Sequence, residues 1–334
     1  MSGTTGLNRR TALIGLGAAA LASPSIVRAA PLERVSLRLN WVLSGLFSAF
    51  YNGRDKGFFS EEGIELTIGE GKGSGVTVQA VAAGGDTFGL ADGGSIILGA
   101  TKGAAVKAVM GIMNTSPYSI SMREEVGVKT IKDLVGKTIA VTPGEAGLPL
   151  LQAIWAANGI DPASVKLLNV DGSGKLVAIL SGRVDGVLAG LESQVVILAQ
   201  KGLKQTVLKY ADLGANTQGV SLFTTVATEQ KQPDLVKRMV RAMIRSMKDA
   251  EQNPAAVVDA GIKAKPSEDK ALFAEQLKVA STLFYAPSDS KKRLGFMMAE
   301  DWARTLELMK RYQDLVTDMP ADRFYTNAFL PDVA

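Results

Sequence analysis

The chain is predicted to be an α/β protein of two lobes, a clamshell of two mostly parallel sheets joined by two extended crossings. Three observations carry this. Strand-like and helix-like patterns alternate twice along the chain, an order that argues for parallel sheets with helices on their faces. Two connecting strands, Ser119–Arg123 and the β-branched Leu222–Thr228, bracket the second of those cycles. From Pro233 onward the pattern is helical only, as expected of helices returning to finish the first lobe. At 334 residues there is material for about two domains.

The first cycle opens with Val35–Trp41, whose alternation of apolar and polar residues is that of a half-buried strand. Gly45–Lys56 is amphipathic, with Phe47, Phe50, Tyr51 and Arg54 at helical spacing, and Gly57 stops it. Strand Ile64–Ile68, the glycine-rich loop Gly69–Gly75, helix Val76–Ala83 and strand Thr87–Ala91 follow. Asp92-Gly93-Gly94-Ser95 turns into a helix to Lys102, and Ala105–Met113 is the fourth strand. The second cycle comprises strand Thr138–Thr142, helix Leu148–Asn158, strand Val165–Val170, helix Lys175–Ser181, strand Val184–Ala189, helix Glu192–Lys201 and strand Gln205–Lys209. Past Pro233, Val236, Met239, Val240, Met243, Ile244 and Met247 fall at helical spacing. A core stripe explains these methionines better than a metal or cofactor, because Met is a flexible filler. The expected division is a leader at 1–29, one lobe from 30–118 and 224–334, and the other from 119–223.

The leader is read from three parts in order. Asn8-Arg9-Arg10-Thr11 precedes a short apolar run, Ala12–Ala22, and Val27 and Ala29 stand at the −3 and −1 positions of a small-residue exit. This is the form of a cleavable export signal, and the paired arginines point to the twin-arginine route. Taking Arg9, Arg10 and Arg28 from the 37 basic residues leaves 34 against 33 acidic ones. The near balance gives no reason to expect nucleic acid as a partner. No later apolar run approaches the ~20 residues a membrane span requires, so the mature chain is expected not to be membrane-embedded.

The chain has neither cysteine nor histidine. That excludes disulfides, the usual Zn and Cu ligands, and Ser-His-Asp or Cys-His catalytic pairs. No metal or cofactor is expected. An enzyme on this scaffold would have to use carboxylate, lysine or tyrosine chemistry.

Ligands of open parallel sheets bind beyond the carboxyl ends of the strands. The loops there carry Asn40, Trp41 and Ser44 after the first strand, with Tyr51 on the helix that follows. They also carry Asp92 and Ser95 after the third strand, Asn114 after the fourth, and Thr142, Glu145 and Glu192 in the second cycle. Each has a plainer reading beside the ligand-binding one. Trp41 is an ordinary core residue if taken alone, and Tyr51 sits on a helix face that packs. Asp92 is a standard helix cap, Glu145 a solvated loop acid, and Glu192 a first-turn acid placed by the helix dipole. Of the 20 aromatics, six fall between Leu37 and Ile68.

Several motifs resemble one family. Leu39-Asn40-Trp41, Asp55-Lys56-Gly57-Phe58-Phe59 and Glu62-Gly63-Ile64-Glu65-Leu66 are similar to the opening of periplasmic substrate-binding proteins of ABC importers. The branch is that for thiamine-pyrimidine precursors, riboflavin, sulfonates and nitrate. Ala82-Ala83-Gly84 before Phe88-Gly89-Leu90-Ala91-Asp92, Ser181-Gly182-Arg183-Val184-Asp185-Gly186-Val187, and Tyr325-Thr326-Asn327-Ala328-Phe329-Leu330 resemble later segments of the same family. The resemblance implies a type II periplasmic-binding-protein clamshell. It also implies a monomer that captures a small molecule between its lobes and delivers it to an ABC transporter permease. The branch includes a yeast-type pyrimidine synthase that consumes its own histidine and uses a cysteine-rich motif, chemistry closed to this chain. Acids on the loops disfavour a small anion and favour a ligand that donates N–H bonds. The expected ligand is an aromatic or heterocyclic molecule, a thiamine-type pyrimidine precursor first, a flavin, aromatic acid or sulfonate behind it. A carboxylate-dependent enzyme is the rival class.

Overall fold

The computed structural model describes residues 1–3, 31–145 and 147–331. The expected leader at 1–29 lies almost wholly outside them. The first sheet takes strands β1 (Glu33–Arg38), β2 (Ile64–Gly69), β3 (Phe88–Asp92), β4 (Val106–Gly111) and β10 (Val220–Thr225) in the order β2-β1-β3-β10-β4. The second takes β5 (Tyr118–Arg123), β6 (Thr138–Val141), β7 (Lys166–Asn169), β8 (Gly186–Gly190) and β9 (Gln205–Lys209) in the order β7-β6-β8-β5-β9. The two orders are the same. In each sheet one strand runs against its neighbours: β10 is antiparallel to β3 and β4, and β5 to β8 and β9.

Those two strands correct one expectation. Ser119–Arg123 and Leu222–Thr228 were read as the segments joining the lobes. Instead β5 and β10 are inner strands of the sheets, and Val226–Lys231 is already helix α7. The chain passes between the sheets just before each of them, at 112–117 and 210–219. A strand-like sequence makes a segment extended, but only pairing decides whether it crosses a gap or fills a sheet.

Helices cover both faces of each sheet. One face of the first sheet packs against α1 (Ser48–Asp55), α8 (Pro233–Gln252), α9 (Pro254–Ala264) and α10 (Lys270–Ser281), in a core containing Leu37, Phe50, Phe59, Val240 and Phe273. Pro233 and Pro254 open their helices at positions where a missing N–H costs nothing. The methionine stripe of α8 is buried in this core, as its spacing predicts. The opposite face packs against α2 (Ser74–Ala82), α3 (Gly93–Thr101) and α11 (Ala299–Tyr312), around Phe223, Trp302 and Phe324. The second sheet lies between α4 (Gly147–Ala157), with Trp155 and Tyr210, and α5 (Gly172–Leu180) and α6 (Gln194–Gln200), with Ile179 and Leu198.

The crossings are bonded to each other. Gln218 Nε2 donates to Asn114 Oδ1 at 2.9 Å, and the Ser116 amide donates to Asn216 Oδ1 at 3.1 Å. Among the described residues, no helix is long and apolar enough to cross a membrane.

Candidate functional site

Both sheets end their parallel strands at the junction between the lobes, so the strand-exit loops face one another there. The loop after β1 is held by its neighbour: Gly71 N donates to the Trp41 carbonyl at 3.0 Å, and Gly73 N to the Asn40 carbonyl at 2.8 Å. A side chain at Gly71 would collide with the Leu39 carbonyl, which is why the glycine-rich loop sits so close. Trp41 then reaches the other lobe. A Cβ on Gly172, the first residue of α5, would lie 3.0 Å from its Cζ2, so the indole rests on bare backbone.

The junction holds two chambers. The inner, of about 70 Å³, is lined by Asn40, Trp41, Ser44, Phe47 and Ser74 of the first lobe and by Tyr118, Glu145, Leu188, Glu192 and Gln194 of the second, among others. The outer, of about 600 Å³, is lined by Trp41, Ser44, Lys72, Thr142, Gly172 and Ser193 among others. Trp41 and Ser44 belong to both, so the indole stands where the chambers meet.

The three acids named from sequence have different surroundings. Asp92 is 3% exposed and caps α3, its Oδ1 accepting the Ser95 amide at 3.0 Å. Its Oδ2 has no partner, and burial raises its pKa against the opposing bonds from Ser95 and Ser74. Glu145 is committed on both oxygens: Oε1 accepts the Thr142 amide at 2.7 Å, and Oε2 meets Lys175 Nζ at 2.5 Å. Lys175, 1% exposed, also donates to the Leu188 carbonyl at 2.8 Å. Burial still pushes the Glu145 pKa up, with Lys175 opposing it. Among the described residues, no basic group acts on Glu192. Its Oε2 is buried without a partner, and burial pushes its pKa to about 7 against its own backbone amide and Ser193.

Of the remaining sequence candidates, Asn40 lines the inner chamber with Oδ1 buried and unpartnered, and its Nδ2 donates to Ser74 Oγ at 3.4 Å. Thr142 lines the outer chamber with an unpartnered Oγ1. Three lie elsewhere. Tyr51 packs in the first core, 9% exposed, with the Arg54 guanidinium 5.0 Å from its ring centre. Ser95 is in the first turn of α3, behind the Asp92 cap. Asn114 is fully buried, and its Nδ2 donates to the Phe284 carbonyl at 2.9 Å, so its polar atoms serve the crossing.

Tyr118 is the main addition. It lines the inner chamber as the first residue of β5, and its hydroxyl pKa is raised well above the ordinary value by burial, then by Asp92, Glu192 and Glu145. Its place just after the first crossing, behind Pro117, was the available signal. Ser74 and Gln194 were equally missed; Gln194 Oε1 accepts the Gly190 amide at 2.9 Å and so shapes the loop that presents Glu192.

Two lobes with a lined cavity between them define the class of fold. The alkanesulfonate-binding protein SsuA from Xanthomonas axonopodis pv. citri has this fold, with a TM-score of 0.70 at 15% identity, over 89% of this chain and 99% of that one. The family model described as NMT1/THI5 like matches residues 46–257, and the chain belongs to that family. Among relatives, the riboflavin-binding protein RibY of Chloroflexus aurantiacus is 26% identical over 94% of this chain and 91% of its own length. The 4-amino-5-hydroxymethyl-2-methylpyrimidine phosphate synthase of Legionella pneumophila is 24% identical over 90% of this chain and 93% of its own.

Proposed function

We propose that this chain is an exported solute-binding protein that closes on a planar, N–H-donating heterocycle and hands it to an ABC permease. A thiamine-type pyrimidine precursor is the leading ligand. The observation that carries the reading is the pair of buried acceptors without donors, Asn40 Oδ1 and Glu192 Oε2, in a chamber walled by Trp41 and Tyr118. Buried acceptors left unpaired are costly, so a ligand that supplies N–H groups recovers that cost. A flat ring also uses the indole surface. Two relatives named for riboflavin and for a pyrimidine phosphate support a ring-shaped ligand. Among the described residues no lysine or arginine lines the inner chamber, which speaks against nitrate or a sulfonate seated there.

Binding without turnover is the reading we adopt. The sequence has no His or Cys for the common nucleophile–base pairs. The relative named as a synthase is the reason to test turnover as well. Export through the twin-arginine leader, a periplasmic site of action, a monomeric state and a partner permease are parts of the same proposal.

The test is a thermal-shift panel of pyrimidines, flavins, aromatic acids, sulfonates and nitrate, backed by native mass spectrometry of freshly purified protein. A stabilising shift confined to ring compounds supports the proposal. A co-purifying sulfonate or nitrate sinks it, and product formation from a bound pyrimidine moves the chain to the enzyme class.

A further inference from the structure

We propose that the inner chamber takes its ligand as a cation, a flat amidinium-type group such as a ring-protonated aminopyrimidine. This rests on the heterocycle reading above and adds the charge state to it. The ground is an imbalance of buried charge. Glu145 is matched by Lys175, but Asp92 and Glu192 each keep a buried carboxyl oxygen with no partner. Glu145 and Glu192 line the chamber together with Tyr118. Among the described residues that line the chamber there is no basic side chain to answer them.

A carboxylate withdrawn from water without a counter-charge either takes up a proton or is met by a cation. Of the two, Glu192 is the one that lines the chamber; Asp92 lies behind Ser74, which accepts the Asp92 amide at 3.3 Å. The walls suit a cation too. Trp41, Phe47 and Tyr118 line the chamber, and aromatic ring faces attract positive charge. An amidinium presents two parallel N–H donors that match a carboxylate two-for-two, while a further N–H can reach Asn40 Oδ1. Its charge is spread over a planar group, so it sheds water at less cost than a compact ammonium. A neutral ring satisfies the hydrogen bonds but leaves the charge unanswered.

Benzamidine and benzamide have the same outline and differ in charge, so they separate the two cases. Titration calorimetry of the purified chain near neutral pH is expected to show benzamidine binding about ten-fold more tightly than benzamide, or better. In Glu192→Gln, shown by thermal unfolding to be folded, that preference is expected to vanish. Benzamide binding as well as benzamidine in the wild-type chain overturns the inference, whatever the variant does. Neutral pyrimidines binding while benzamidine does not also overturns it, and leaves the heterocycle reading standing. Silence from every ring compound removes both.

Discussion

Glu192 concentrates the consequences at the scale of single residues. Its folded pKa of about 7 lies above the ordinary 4.5, so folding takes up a proton between those values. The wild-type chain is therefore expected to lose stability as pH rises through that window, by up to about 3 kcal/mol. Glu192→Gln lacks the titration, so its denaturant midpoint should match the wild type near pH 4.5 and exceed it above pH 7. Equal midpoints at high pH would mean that the carboxylate finds a partner. Tyr118, Glu145 and Gln194 line the same chamber as Glu192, and Ser193 bonds to its carboxylate. Gly172→Ala tests Trp41 from the opposite side. Its new methyl would press the indole back by a few tenths of an ångström, so ring-ligand affinity should fall while the melting temperature barely moves. That three acids begin or flank helices was plain in the sequence. Which of them is capping, which is ion-paired and which is open depends on Ser95, on Lys175 and, among the described residues, on the absence of a basic group acting on Glu192. The Asp92 cap, three residues from Ser95, is local and legible, whereas Lys175 lies 30 residues from Glu145 and periodicity carries no trace of that pairing.

At the scale of elements, the alternation of strand and helix was legible nearly throughout. β9 falls at its expected bounds, because period and punctuation are local. The partners of β5 and β10 were not, since pairing is a long-range choice. The crossings that precede them are held by buried polar bonds whose loss can be measured. Asn114→Ala strips the Phe284 carbonyl of its Asn114 donor and leaves Gln218 Nε2 with Ser221 Oγ at 3.3 Å, and should cost about 1–3 kcal/mol in denaturant unfolding. Lys175→Met leaves the Glu145 carboxylate buried alone and should cost about 3–5 kcal/mol. The double variant Lys175→Met with Glu145→Gln should recover a substantial part of that loss. If it does not, the pair is not the source of the cost.

At the scale of the whole molecule, the shared strand order of the two sheets makes the lobes two copies of one plan, each receiving its antiparallel strand directly after a crossing. Closure about the crossings, as proposed for ligand capture, predicts a smaller radius of gyration by X-ray scattering when a ring ligand is added. A contact already spans the lobes at the outer rim, where Gln200 Nε2 donates to Asp269 Oδ1 at 3.0 Å. Being exposed, it is expected to contribute less than about 1 kcal/mol, so Gln200→Ala should alter ligand affinity only slightly.

Helix α11 has a further effect, far from any ligand. It follows the first lobe's helices in the chain, yet its Leu308 packs against the core of the second lobe. Beside that contact lies a cavity of about 200 Å³ bordered by Ala153, Ala157, Leu308 and Tyr312. The helix is also pinned to the second crossing, since Thr305 Oγ1 accepts the Gln218 amide at 2.8 Å. Under the closure proposed above, swinging the second lobe would drag α4 across α11, and this loosely filled seam would weight the balance of open and closed forms before a ligand arrives. Observed affinity scales with the fraction of molecules already competent to bind. Leu308→Ala or a cavity-filling Ala157→Leu would thus tune capture in opposite directions while touching nothing the ligand touches.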